Sequence, residues 1–224
     1  GCTSLTVVEI PKLKTIYCCS FRYTNVEYVE FPLLDTQELC SIDSTNNVGG
    51  YFMNCANLKS FKAPLARYLY QNMFSGCTSL SELSMDNAIS ISQNCFYNCI
   101  ALNTLILPKV TTISNSLFSG YNNFIYLKFE SVNSIGSKSF SSCNQLNTIE
   151  CPNCVSIGEE AFLNCLNLER IIFPKVVELG ISAFQNAGVV NIELNSLTKM
   201  YGNYYNHGYQ FSGCTKLTHV TMKS

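Results

Sequence analysis

A solenoid of stacked, short parallel β-strands is the fold class that three observations predict. A leucine-type position recurs at 21- or 22-residue spacing along most of the chain, and each recurrence opens the same alternating apolar pattern. The prolines all fall at a single place in that pattern, and a phenylalanine recurs at another. The 224 residues are 47% hydrophobic and 13% charged, which provides a large core and excludes a disordered chain. A net charge of −1 lacks the basic field that nucleic acid or an anionic membrane would require. No apolar run is long enough for a membrane helix, and Gly1–Leu5 has neither the charged nor the apolar region of a signal peptide.

The repeat opens at Leu5, Val26, Leu58, Leu80, Leu102, Phe124, Leu146, Leu168, Val189 and Leu217, which predicts a single repeat domain of about ten coils over residues 1–224. With the opening residue as zero, offsets +3 and +5 are apolar throughout, as in Leu105 and Leu107 or Ile171 and Phe173. These side chains face inward from a strand whose outward positions are +2 and +4. Pro11, Pro32, Pro64, Pro108, Pro152 and Pro174 all stand at +6, where a missing N–H ends the strand. Offset +8 is again apolar in all nine turns that reach it, and offset +11 in all but Gln37. The segment from there to the phenylalanine column, such as Ile157-Gly-Glu-Glu-Ala-Phe162, reads as a tight corner and one helical turn, with Gly136, Gly158 and Gly180 relieving the backbone. The expected coil is therefore β-rich, with corners and short helical turns opposite the strands. Gly or Asn then precedes the cysteine column at Asn54, Gly76, Asn98, Gly120, Asn164 and Gly213, which predicts a left-handed residue there. Insertions interrupt the period within 35–50 and 201–209. Both ends fall in mid-repeat, so the segment is expected to be a fragment of a longer array.

Thirteen cysteines raise the question of disulfides or zinc. Cys2, Cys55, Cys77, Cys99, Cys143, Cys165 and Cys214 share one column, in which Tyr23, Tyr121 and Ala187 or its neighbour replace them. A column that accepts tyrosine or alanine is a packing column. Cys151-Pro-Asn-Cys154 has metal or redox spacing, but both residues align with core positions and no second pair completes four ligands. Cys18, Cys19 and Cys95 lie beside the phenylalanine column, and Cys40 in the first insertion is the expected exposed thiol. No nucleophile, phosphate-loop or metalloprotease motif occurs, and neither His207 nor His219 has a suitable partner in the pattern. No catalytic residue, cofactor or metal is predicted.

The outward strand positions are where the sequence stops repeating, which packing alone does not demand. Tyr28, Glu30, Lys62, Glu82, Tyr126, Lys128, Glu150 and Arg170 on this face, with Tyr204, Tyr205 and His207 in the second insertion, are the candidate partner-binding residues. Tyrosine and arginine are favoured as interface anchors, and solenoids offer an extended sheet surface to a partner.

The unit Ala161-Phe162-Leu163-Asn164-Cys165-Leu166-Asn167-Leu168-Glu169-Arg170-Ile171-Ile172-Phe173-Pro174 resembles the BspA-like leucine-rich repeat, the treponemal type of about 22 residues. The resemblance covers essentially the whole chain. It implies a leucine-rich-repeat solenoid and, in characterised members, a cell-surface or secreted protein that binds host proteins or other microbes. The function expected on that basis is a non-enzymatic binding module for a protein or glycan ligand, without nucleic-acid binding or membrane insertion by this segment. An intracellular scaffold or passive structural spacer, which would be cytoplasmic, is the alternative.

Overall fold

The computed structural model describes residues 2–17, 19–35, 50–202 and 209–222. The chain divides into two compact units, Gly1–Pro108 and Lys109–Ser224. Both are β-solenoids of stacked parallel strands, and each is described by itself.

In the first unit the strands Val7–Glu9, Tyr28–Glu30, Ser60–Lys62 and Glu82–Ser84 form one parallel sheet in that order, and Thr104–Ile106 continues the pattern. Every one of these strands occupies offsets +2 to +4. The register is exact to the repeat: Val8 faces Val29, Val29 faces Phe61, and Phe61 faces Leu83. Identical spacing between inward residues lets each coil present the same contour to the next, so a slip of one residue would turn the whole apolar set outward. Val8, Val29 and Phe61 are buried while Glu9, Glu30 and Lys62 are exposed. The prolines act as expected, since the turn from Ala63 to Ala66 closes with an N–H to carbonyl bond of 3.0 Å and Pro64 takes its second place.

The second unit repeats this wall with Tyr126–Lys128, Thr148–Glu150 and Arg170–Ile172 in one sheet, and Asn191–Glu193 paired with His219–Thr221. It also carries a second parallel sheet where the sequence predicts only a corner. Thr112–Ile113, Ser134–Ile135, Ser156–Ile157, Glu178–Leu179 and Lys199–Met200 pair in register as two-residue strands. Tyr68–Leu69 and Ser90–Ile91 do the same in the first unit.

The remaining side of each coil corrects the expected helical turn. Among the described residues there is no helix; a run of tight turns bonds sideways to the next coil instead. The N–H groups of Asn72, Phe74 and Gly76 reach Gln93, Cys95 and Tyr97 of the following coil at 3.3, 2.9 and 2.8 Å. Those of Met73, Ser75 and Cys77 bond back to Tyr70, Asn72 and Phe74 within the coil. The backbone explains the alternation. Asn72 and Gly76 have φ of +57° and +78°, and such left-handed residues interrupt a helix in which every N–H would point along its own axis. In the second unit Ser116, Lys138, Glu160 and Ser182 hold the first of these left-handed places.

Inside, the phenylalanine column becomes a stack of rings. In the first unit Phe21, Phe52, Phe74 and Phe96 lie 5.3, 5.8 and 5.8 Å apart between centroids, within 15° of parallel. In the second, Phe118, Phe140, Phe162, Phe184 and Phe211 follow at 5.4, 5.2, 5.1 and 5.8 Å. Each such contact adds about 0.5–1.5 kcal/mol to the burial of the rings.

The glycines at the corner serve a different purpose from the one expected. Gly136, Gly158 and Gly180 are absent from the left-handed region. A side-chain carbon on Gly158 would lie 2.6 Å from the Ser137 nitrogen, and one on Gly180 would lie 2.4 Å from the Gly158 carbonyl carbon. Close backbone approach between successive coils requires them.

Candidate functional site

The strand wall displays the predicted residues in two groups, one per unit. In the first, Tyr28 stands beside Ser60, which stands beside Glu82; on the neighbouring row Glu30 faces Lys62. Tyr28 is 47% exposed, and Glu30, Lys62 and Glu82 are exposed. Ser60 departs from the pattern: although it is at an outward offset, between Tyr28 and Glu82, it is buried, 7% exposed. The result is a notch of about 310 Å³ lined by Val7, Glu9, Tyr28, Val29, Glu30, Ser60 and Lys62. Nothing in the residue type of Ser60 announces this; only its position between tyrosine and glutamate neighbours could have done so.

Lys59 holds the Tyr28 side of the notch. Its ammonium lies 2.7 Å from Glu27 Oε2 and 5.7 Å from the centre of the Tyr28 ring. The hydrogen bond to Glu27, its charge and the Tyr28 phenol all hold Lys59 above its ordinary pKa. In contrast, Glu30, Lys62 and Glu82 make no ion pair among the described residues.

In the second unit Tyr126, Thr148 and Arg170 share one row, and Lys128, Glu150 and Ile172 the other. Tyr126, Lys128 and Glu150 are half-buried, whereas Arg170 is exposed and without an ion pair among the described residues. Desolvation and then the adjacent Glu150 carboxylate raise the Tyr126 phenol above its usual pKa. Lys128 pairs with Glu130 at 3.0 Å rather than with its register neighbour Glu150. Tyr204, Tyr205 and His207, and also Cys18 and Cys40, lie outside the described residues.

The cysteines are integrated into the frame. Cys55, Cys77, Cys95, Cys99, Cys143, Cys151, Cys154 and Cys165 are buried and form no disulfide among the described residues. Column thiols donate to the phenylalanine carbonyl of the coil before: Cys77 to Phe52, Cys99 to Phe74, Cys143 to Phe118 and Cys165 to Phe140, each at 3.0 Å. Each of these carbonyls already accepts an N–H from its own turn, so the thiol occupies the second lone pair. The sequence alignment of this column needs one correction. Tyr23 is left-handed, φ +58°, and belongs to the Gly/Asn place, while Thr24 takes the cysteine place and bonds to the Phe21 carbonyl at 2.7 Å. No cluster of His, Cys, Asp and Glu able to hold a metal occurs among the described residues, and no helix there is long and apolar enough to cross a membrane.

Left-handed residues, stacked phenylalanines and, in most coils, a hydrogen-bonded column thiol recur along the chain, and a family model for the BspA type leucine rich repeat region matches in six copies over residues 1–82, 46–156 and 133–224. The chain belongs to the BspA-type leucine-rich repeat family. A search of curated proteins gives no significant match. Among solved structures this BspA-type chain is similar to a leucine rich repeat protein of T. pallidum, with 23% identity and a TM-score of 0.55 over 67% of this chain and 70% of that one. It is also similar to a leucine-rich repeat protein of Bacteroides ovatus, with 21% identity and a TM-score of 0.54 over 98% of this chain. The BspA-type chain spans 64% of the length of the latter. These likenesses concern the fold.

Proposed function

We propose that this chain is a non-enzymatic module that recognises a protein partner through its strand wall. Leucine-rich repeat proteins are in general protein-binding modules, and the one observation that carries the reading here is a set of unpaired charges displayed on the wall of each unit. Beside the wall Lys59 pairs with Glu27, and on the wall Lys128 pairs with Glu130. The wall's own Glu30, Lys62, Glu82 and Arg170 have no ion-pair partner among the described residues. In each unit, unpaired charges beside a tyrosine on an in-register surface suit a partner with complementary charge and apolar spots. Membership of the family supports placement at the cell surface or outside the cell.

The test is an array of purified extracellular-matrix, plasma and cytosolic proteins probed with the biotinylated chain. A replaced wall carrying Tyr28→Ala, Tyr126→Ala and Arg170→Ala, checked by circular dichroism, should lose capture of the partner found by at least about tenfold, or about 1.4 kcal/mol. Unchanged capture by the folded triple variant would move recognition away from this wall.

A further inference from the structure

The second sheet of residues 109–224 borders an open groove of about 540 Å³, on a different side of the coil from the strand wall. Its floor is the lane Gly136, Gly158 and Gly180. Tyr201 takes the next place in that lane, for its N–H bonds to Leu179 at 2.9 Å just as the N–H of Gly180 bonds to Ile157 at 2.8 Å. A bulky aromatic therefore closes one end of a path that the glycines leave open. Ser134, Ser156 and Glu178 form one bank and Ser137 and Glu159 the other.

Coil packing accounts for the glycines, so the floor alone says nothing about a ligand. The surroundings do. Tyr201 is 38% exposed, and its hydroxyl donates to Glu178 Oε2 at 3.1 Å while accepting from Lys199. The Lys199 ammonium also lies 4.1 Å over the ring centre, which fixes the ring in place. Glu159 is exposed and makes no ion pair among the described residues. The groove has the size of ordinary small-ligand sites, and at about 4.8 Å per coil the path from Gly136 to Tyr201 runs about 15 Å. Lys199, the cation beside Tyr201, is held by Glu178 and the Tyr201 hydroxyl, and the two carboxylates Glu159 and Glu178 line the groove, which disfavours phosphate or sulfate. Hydroxyl banks, a free carboxylate, bare backbone and a fixed aromatic ring together match a ligand with hydroxyl edges and apolar faces.

We propose that this groove is a carbohydrate site for a short, linear, neutral oligosaccharide. One sugar ring lies against Tyr201, the chain follows the glycine lane, and sugar hydroxyls donate to Glu178 and Glu159 and exchange hydrogen bonds with Ser134 and Ser156. The site is independent of the strand wall, and either can fail without the other.

The probes are cellotetraose, maltotetraose and tetra-N-acetylchitotetraose, titrated calorimetrically into the intact chain, with a lysine-rich peptide as the competing class. At least one tetrasaccharide should bind with a dissociation constant in the millimolar range or tighter. Tyr201→Ala and Ser156→Gln, which removes the platform or fills the path, should each weaken it at least ~10-fold. Tyr201→Phe keeps the ring and should retain most of the binding, and Tyr28→Ala on the strand wall should leave it unchanged. Melting curves identify any variant that has lost its fold, and Glu159→Gln, on an exposed side chain, then provides the readout through a several-fold loss. No binding of any tetrasaccharide at ~10 mM would overturn the proposal. So would tighter binding of the peptide, or binding indifferent to the Tyr201 and Ser156 substitutions.

Discussion

Cys143 Sγ lies 3.0 Å from the carbonyl oxygen of Phe118, one coil earlier in the chain. The same oxygen accepts the N–H of Tyr121 at 3.1 Å, so a side chain and a backbone group share one acceptor between neighbouring coils. This explains why a column that tolerates threonine, tyrosine and alanine is nonetheless mostly cysteine: the site favours something small that can also donate.

Donation can be separated from size at that residue. Cys143→Ser keeps a donor, whereas Cys143→Val adds carbon and removes it. Urea denaturation should show valine costing at least as much as serine, on the order of 1–2 kcal/mol, despite its greater hydrophobicity. A valine variant as stable as the parent would reduce the column to plain packing.

The buried thiols also set an alkaline limit. Burial pushes Cys99, Cys143 and Cys154 up to about 12 and raises the other buried thiols too. An unfolded chain would release these protons near pH 8.5–9, so above that range the native state binds more protons than the unfolded one. Stability is therefore fully present below about pH 8.5 and falls between there and about pH 12, at up to about 1.4 kcal/mol per pH unit for each thiol. Denaturation midpoints from pH 7 to 10.5 will show the decline. A flat profile would contradict the protonated, buried state of the column.

Two glycines should respond to alanine for different reasons. Gly120 has φ +75° and nothing within 4 Å of an added carbon, so Gly120→Ala should cost about 1 kcal/mol of backbone strain. Gly158→Ala meets the backbone of the preceding coil at 2.6 and 2.7 Å and should cost about 3 kcal/mol or more. Thermal unfolding of both variants would reveal the order, and equal losses would argue against the close-approach explanation.

Phe162 lies between Phe140 and Phe184 at 5.2 and 5.1 Å. Phe162→Ala should destabilise by about 3–5 kcal/mol, and Phe162→Leu by less. Tyr126→Ala on the strand wall should stay below about 1 kcal/mol. Chemical denaturation measures all three.

The inward columns were legible because burial constrains residue type: Leu105, Leu107 and Phe173 could not be polar and stay where they are. The left-handed place ahead of the cysteine column was also legible where Asn or Gly fills it, as at Asn98 and Gly120, but not at Ser142 or Tyr23, which adopt it with φ of +61° and +58°. The second left-handed place was not. Lys138 and Glu160 occupy it with φ of +57° and +52°, imposed by bonds to the next coil rather than by local preference. The two-residue strands were hidden for the same reason, being too short for alternation to register. The Tyr23 misalignment came from a coil one residue short. On the candidate face, exposed positions followed from the period, but the notch at Ser60 is lined by residues of adjacent strands, which a single coil's pattern does not contain.

Every side of a coil is fastened only to the coils before and after it, through strand bonds on two sides and the alternating N–H groups of Asn72, Phe74 and Gly76 or their equivalents on the third. Under a pull along the chain, such an arrangement gives way like thread leaving a spool. Within each unit the rupture should proceed inward from a terminus, one winding at a time, each step freeing about 22 residues or roughly 75 Å of slack. A surface anchored through such a module would yield gradually under load and rewind when the load is removed.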